Sequence, residues 1–281
     1  MHNRFPQNNF SFIPTYDIDI AWAYKYRGFK LHAGNIVRSL VKGQWRAARA
    51  RIKTANGREQ DPYDAYEWMD ALHQRFNLHP IYFFLIAEIK GIYDKNTGIT
   101  VPQFKELIKN ISIHYEIGIH PSWYSGDYPT SIQKEKKWLE NISGKLVTKS
   151  RQHYLRFTLP HTFQRLISAG IKDEYSMGYG SINGFRASIA SSFYWYDLEK
   201  EETTSLLLHP FCFMDANSFF EQKFTPEQSL EEVLGYYKSI KDVDGTMITL
   251  WHNNILGTDE EFTGWSEVYK QFVEKVCSES F

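Results

Sequence analysis

Thr15-Tyr-Asp17-Ile-Asp19-Ile-Ala-Trp22 closes the first extended stretch of the chain, Phe10 to Ile20 (FSFIPTYDIDI), and its chemistry chooses between two fold families. A doubly wound open sheet favours a glycine-rich phosphate loop after the first strand. Two carboxylates in that place would repel a pyrophosphate. Working outward, strand-like runs recur at Ile81 to Ile89, Tyr115 to Trp123, Ser150 to Phe157, Ser205 to Met214 and Met247 to Asn253. Helical stretches separate them: Asn35 to Ala55, Pro62 to Phe76, one opening at Pro102, Ser131 to Ile142, Thr162 to Ala169 capped by Gly170, Pro226 to Ile240 and Gly264 to Cys277. In the last of these, Trp265, Val268, Tyr269, Phe272, Val273 and Val276 form a core-facing stripe at helical period. Strand then helix, repeated about seven times, predicts a parallel α/β sheet. Acids, histidines and an arginine sit at the ends of several strands, as an active site at the C-terminal mouth of a barrel requires. A single barrel domain over 1–281 is expected, with a helical insertion at about 23–77 covering one rim.

Composition narrows the function classes. The 281 residues carry 32 basic and 33 acidic side chains, a net charge of -1, so nothing draws the whole chain to nucleic acid or an anionic membrane. The basic run Arg46 to Lys53 reads as one solvated helix face. No run approaches ~18 apolar residues, so no transmembrane segment is expected. The first dozen residues lack the apolar stretch of a signal peptide, which points to a cytoplasmic location. Cys212 and Cys277 make no disulfide framework and have no zinc-ligand spacing. Aromatic residues reach 16%, enough for a core and for a sugar-stacking surface besides.

Asp17 and Asp19 stand two apart at a strand end, so both carboxylates enter one pocket. Their repulsion calls for a cation, and a divalent metal held by one leaves the other to handle a proton. A turn or helix-cap pair is the plainer alternative. His120 ends the run Glu116-Ile-Gly-Ile-His120, and His252 ends Met247-Ile-Thr-Leu-Trp-His252. Each imidazole is aimed at the rim, where it can bind metal or exchange a proton. Arg151-Gln-His153-Tyr154 sets a permanent cation two positions from a third histidine.

These strand ends, in this order, resemble the polysaccharide deacetylase family (carbohydrate esterase family 4, the NodB-homology domain) over nearly the whole chain. Thr15-Tyr-Asp17-Ile-Asp19 is similar to its first motif, Glu116 to His120 to the strand entering its histidine motif, Arg151-Gln-His-Tyr154 to its arginine motif and Leu250-Trp-His252-Asn to its late histidine motif. The subgroup with Gly184-Phe-Arg186-Ala and a Trp-His-Asn ending is the nearest likeness. The resemblance implies a distorted (β/α)7 barrel and removal of N-acetyl groups from the amino sugars of a bacterial polysaccharide or its precursor. It implies Asp17 as general base, His252 as general acid and Arg151 as the group that tethers and tunes Asp17. It implies Asp19 and His120 as ligands of a divalent metal, with Zn2+ the expected ion, and an N-acetylated saccharide as substrate.

The family's second metal histidine would fall at Tyr124. A phenol is a poor ligand near neutral pH, and His153 is expected to supply the third donor. The alternative is a site that has lost its metal, leaving a catalytically inactive glycan-binding protein. A different metal-dependent barrel hydrolase, acting on cyclic amides, would favour a doubled histidine on the first strand, and none is there. Trp22, Trp123 and Trp251 each adjoin a proposed site residue and are expected, with Tyr154, to contact a pyranose ring. Arg186 is expected to meet an anionic group of the substrate, or else to pair with Asp197. Asp215 and His209 are expected either to line the pocket and contact sugar hydroxyls or to be satisfied by backbone at a strand end.

Overall fold

A computed structural model describes residues 9–26, 43, 45–128 and 130–278. The part of the Asn35 helix that precedes Trp45 falls almost wholly outside these residues. Among those described, one sheet is built from β1 (Ser11–Ile18), β2 (Ile81–Leu85), β3 (Glu116–His120), β4 (Lys149–Ser150), β5 (Asp173–Glu174), β6 (Phe193–Asp197), β7 (Glu202–Leu208), β8 (Phe213–Met214) and β9 (Thr246–His252). Its order is β6-β7-β5-β4-β3-β2-β1-β9-β8, parallel throughout except that β6 runs antiparallel against β7.

β7 and β8, which stand near opposite ends of that order, belong to one extended segment. The Leu207 and His209 amides donate to Lys172 and Glu174 beside β5, both at 2.8 Å, and the Cys212 amide donates to Ile248 of β9 at 3.2 Å. The stretch from Glu202 to Met214 thus seals the sheet into a barrel, with β6 as an outer flap. Its staves are β1 to β5, the β7–β8 segment and β9, matching the expected (β/α)7 barrel.

Alternation along the strands divides the core in two. Ile81, Phe83, Ile248 and Leu250 point inward and pack with Tyr175, Phe211, Met214 and the half-buried Ile13. Their neighbours Tyr16, Ile18, Tyr82, Phe84, Met247 and Trp251 point outward into the larger cluster beneath the helices. Those helices are α1 (Trp45–Ala55), α2 (Tyr66–Phe76), α3 (Pro102–His114), α4 (Ser131–Ser143), α5 (His161–Ser168), α6 (Pro226–Lys241) and α7 (Trp265–Ser278). Pro102 stands in the first turn of α3, and Thr225 and Gln228 cap α6 reciprocally. The expected stripe of α7 is buried at every position. None of the described helices is long and apolar enough to cross a membrane.

Several segments differ from the sequence reading. β2 stops at Leu85 rather than Ile89. The extended run expected over Ser150 to Phe157 is a two-residue strand followed by a tight turn at His153–Leu155, with Tyr154 and Leu155 at φ 57° and 50°. β6 and β5, the one antiparallel and the other two residues long, carry no periodic signal of their own.

Candidate functional site

Asp17, His120 and His252 occupy inward positions at the C-terminal ends of β1, β3 and β9. Asp17 is the register partner of both His252 and Phe83, and His120 pairs with Leu85. Asn96 staples this end of the barrel by donating to the Ile18 and Leu85 carbonyls at 2.7 and 3.0 Å. Asp17 and Asp19 face one space, as their spacing predicts: His120 Nε2 lies 3.6 Å from Asp17 Oδ2 and 3.1 Å from Asp19 Oδ1. The other ring nitrogen of His120, Nδ1, lies 2.5 Å from the Arg151 carbonyl. A carbonyl only accepts, so Nδ1 carries the hydrogen and Nε2 offers a lone pair toward the carboxylates.

Arg151 is fully buried. It donates from one terminal nitrogen to Asp17 Oδ1 at 2.9 Å and from Nε to the Tyr175 carbonyl at 3.0 Å. Its guanidinium lies over the Phe83 ring, 4.5 Å from the centroid. Gly118 of β3 makes room for that ring, because a Cβ there would stand 2.5 Å from Phe83.

His153 reaches the same space from the turn after β4. Its Nε2 is 3.5 Å from Asp19 Oδ2, while Nδ1 lies 2.9 Å from Asp94 Oδ1. Asp19, His120 and His153 each bring a donor atom within 4.8 Å of the others. Two ligands about 2.1 Å from a tetrahedral ion stand about 3.4 Å apart, close to the 3.1 and 3.5 Å between each imidazole and Asp19. Asp19 Oδ1 is buried and has no hydrogen-bond donor. Although burial would raise the Asp19 pKa, His153 and His120 together hold it well below the usual carboxylate range. One carboxylate and two imidazoles whose ligand atoms converge, one of them an orphaned buried oxygen, fit a divalent cation.

His252 completes the group, with Nε2 3.7 Å from Asp19 Oδ2. Asp215 accepts from its backbone N–H at 2.8 Å and from its Nδ1 at 2.6 Å. Burial alone would depress the imidazole, yet Asp215, with Asp19 and Asp17 behind it, raises it to about 9. These residues open into a cavity of about 520 Å³ whose wall includes Tyr154, Met214, Asn217, Leu250 and Ile255. Among the described residues no lysine or arginine lines it.

Several expected contacts are corrected. Trp251 is fully buried in the outer layer, against Phe213, Tyr269 and Phe272, and has no face for a sugar. Trp22 is buried against Tyr26 and Phe104. Trp123 packs on Tyr93 and under Arg156 and does not line the cavity, whereas Tyr154 does and is 58% exposed. Arg186 donates to the Gly178 carbonyl and lies over Phe157, outside the cavity lining, while Asp197 accepts from Gln164 and the Glu199 amide. Asp215 is fully buried with both oxygens occupied, so it serves His252 rather than a sugar. His209 bonds Asp173 and Ser192, also outside the cavity. Tyr124 stacks its ring on Tyr128 and does not line the cavity. Asp94, which bonds His153, was missed, since it lies in a loop with no motif around it.

No protein-family model and no curated protein matches the sequence. The folded chain does match solved structures. A protein of Mycobacterium smegmatis described as a polysaccharide deacetylase superposes with a TM-score of 0.60 at 14% identity, over 98% of this chain and 86% of that one. PuuE allantoinase superposes with a TM-score of 0.60 at 10% identity, over 100% and 88%. A mutant of BA3943, a family-4 pseudoenzyme, gives 0.50 at 11% identity over 97% of this chain, which spans 64% of that protein's length. By its closed barrel and by these superpositions, the chain has the polysaccharide deacetylase fold in a divergent form.

Proposed function

We propose that the protein is a metal-dependent hydrolase that removes N-acetyl groups from the amino sugars of a bacterial polysaccharide or its precursor. The observation that carries this reading is a convergent Asp19–His120–His153 donor set beside a carboxylate gripped by arginine and an imidazole gripped by a second carboxylate. A divalent cation, when bound by those three residues, supplies Lewis acidity toward an amide carbonyl and toward water.

The chain's own residues supply the proton transfers. Asp17 is anchored through Oδ1 by Arg151, which leaves Oδ2 to take the proton of the attacking water. His252 donates its Nδ1 hydrogen to Asp215, so Nε2 faces the cavity. At about 9 it is charged near neutral pH and gives its Nε2 proton to the amine nitrogen as the C–N bond breaks. Water is consumed, and acetate and a free amine are released. A wall in which no described residue is a lysine or arginine suits a neutral saccharide.

Acetate release from N-acetylated chito-oligosaccharides tests the reading. Release should cease on chelation and return with zinc, and Asp17→Asn should slow it by about 10²–10⁴-fold with zinc content unchanged. Zinc-loaded protein that releases no acetate overturns it. Saccharide binding that survives chelation, without release, would instead establish a glycan-binding protein.

A further inference from the structure

Asp94 lies in the loop after β2, buried at 3% exposure, and ties its own loop to two segments that sequence keeps apart. Its Oδ1 accepts from His153 Nδ1 and from the Trp123 amide, both at 2.9 Å, and its Oδ2 accepts from the Tyr124 amide at 3.3 Å. The loops after β2 and β3 and the turn after β4 therefore meet on one carboxylate.

A carboxylate beside His153 Nδ1 accepts that nitrogen's hydrogen, so Nε2, the atom facing Asp19, is the one that can give up its proton and ligate. His120 reaches the same tautomer through a neutral carbonyl. The two imidazoles thus differ in support, one leaning on a dipole and the other on a charge. His153 is also the ligand whose backbone is least regular, since Tyr154 and Leu155 beyond it are left-handed. Among the described residues Asp94 is the hydrogen-bond partner of His153 Nδ1, and the ring's other neighbours, His120 and Tyr154, only pack against it.

We propose that Asp94 is a positioning residue for metal binding: it fixes the tautomer and ring orientation of His153 and so makes that histidine a ligand. The proposal rests on the metal-dependent reading above, and zinc affinity separates the two.

Zinc affinity of the full chain is measured by competition with a chromophoric chelator, and the d–d bands of the cobalt form report the ligand set. Wild type should bind one zinc. Asp94→Ala should weaken it about 10–100-fold and alter the cobalt bands as His153→Ala does. In a His153→Ala background, Asp94→Ala should cost nothing further, since its effect passes through the ring already removed. Asp94→Asn, which keeps the size and the Oδ1 acceptor but not the charge, should recover part of the affinity, and it serves as the test if the alanine variant does not fold. A purely structural role would lower thermal stability and leave zinc affinity at the wild-type value. Unchanged affinity in either variant, or an equal loss with and without His153, overturns the proposal. Wild-type protein that binds neither zinc nor cobalt overturns the metal-dependent reading and this inference together.

Discussion

Trp251 and His252 are neighbours in sequence and lie on opposite sides of the barrel wall. Once His252 is placed at the inner mouth, strand alternation sends Trp251 outward, where its indole donates to Thr249 Oγ1 at 3.0 Å. Adjacency to a catalytic position is therefore a poor guide to substrate contact, and the spacing of two that joins Asp17 to Asp19 is a good one. Trp251→Phe should cost about 2 kcal/mol in urea unfolding and leave KM unchanged. Tyr154→Ala, at the exposed rim, should raise KM several-fold with little effect on stability or zinc content. The opposite pattern would restore Trp251 as a sugar contact. Asp17, Asp19, His120 and His252 were legible because each closes a periodic strand-like run, and Arg151 through its likeness to the family's arginine motif. Asp94 was not, because its partner is chosen by packing between loops.

The elements that sequence periodicity reveals, β1, β2, β3, β9 and most helices, are those long enough to show a repeat. β4 and β5 are two residues long, and a period cannot be read from two positions. Between them the chain turns through a left-handed pair at Tyr154 and Leu155, conformations that non-glycine residues seldom adopt and that no spacing announces. β3 shows the converse: its single glycine is a packing requirement visible only in three dimensions. Gly118→Ala should push Phe83 from beneath Arg151, since the added carbon would also stand 2.9 Å from the Lys149 carbonyl. The expected outcome is a loss of about 2 kcal/mol and a fall in kcat larger than any change in KM, because Arg151 orients Asp17. A variant with full kcat would show that Phe83 can shift without disturbing the arginine.

Across the whole molecule, α2 and α7 are fastened to the barrel through Tyr16, whose hydroxyl bonds both His73 Nε2, at 2.6 Å, and Tyr269. Burial of His73 outweighs the nearby Asp70 and lowers its pKa from 6.5 to about 4. Between those values the unfolded chain binds the proton and the folded one does not, so this contribution is full above pH 6.5 and lost as the pH falls toward 4. It amounts to about 3 kcal/mol. The stability of wild type relative to His73→Gln should shrink by that amount from pH 7 to pH 4 in urea titrations. A constant difference would mean that the ring is charged within the fold.

The seam between β1 and β9 joins Ser11 to Thr246 and Asp17 to His252. A ribosome delivers those partners far apart in time, so a nascent chain holds β1 with one edge unpaired until β9 emerges. That edge is open to adhesion with other chains throughout the interval. On the proposed mechanism Asp17 and His252 are proton acceptor and donor, and they come into register only when the same seam zips, so a shorter translation product would lack that pair.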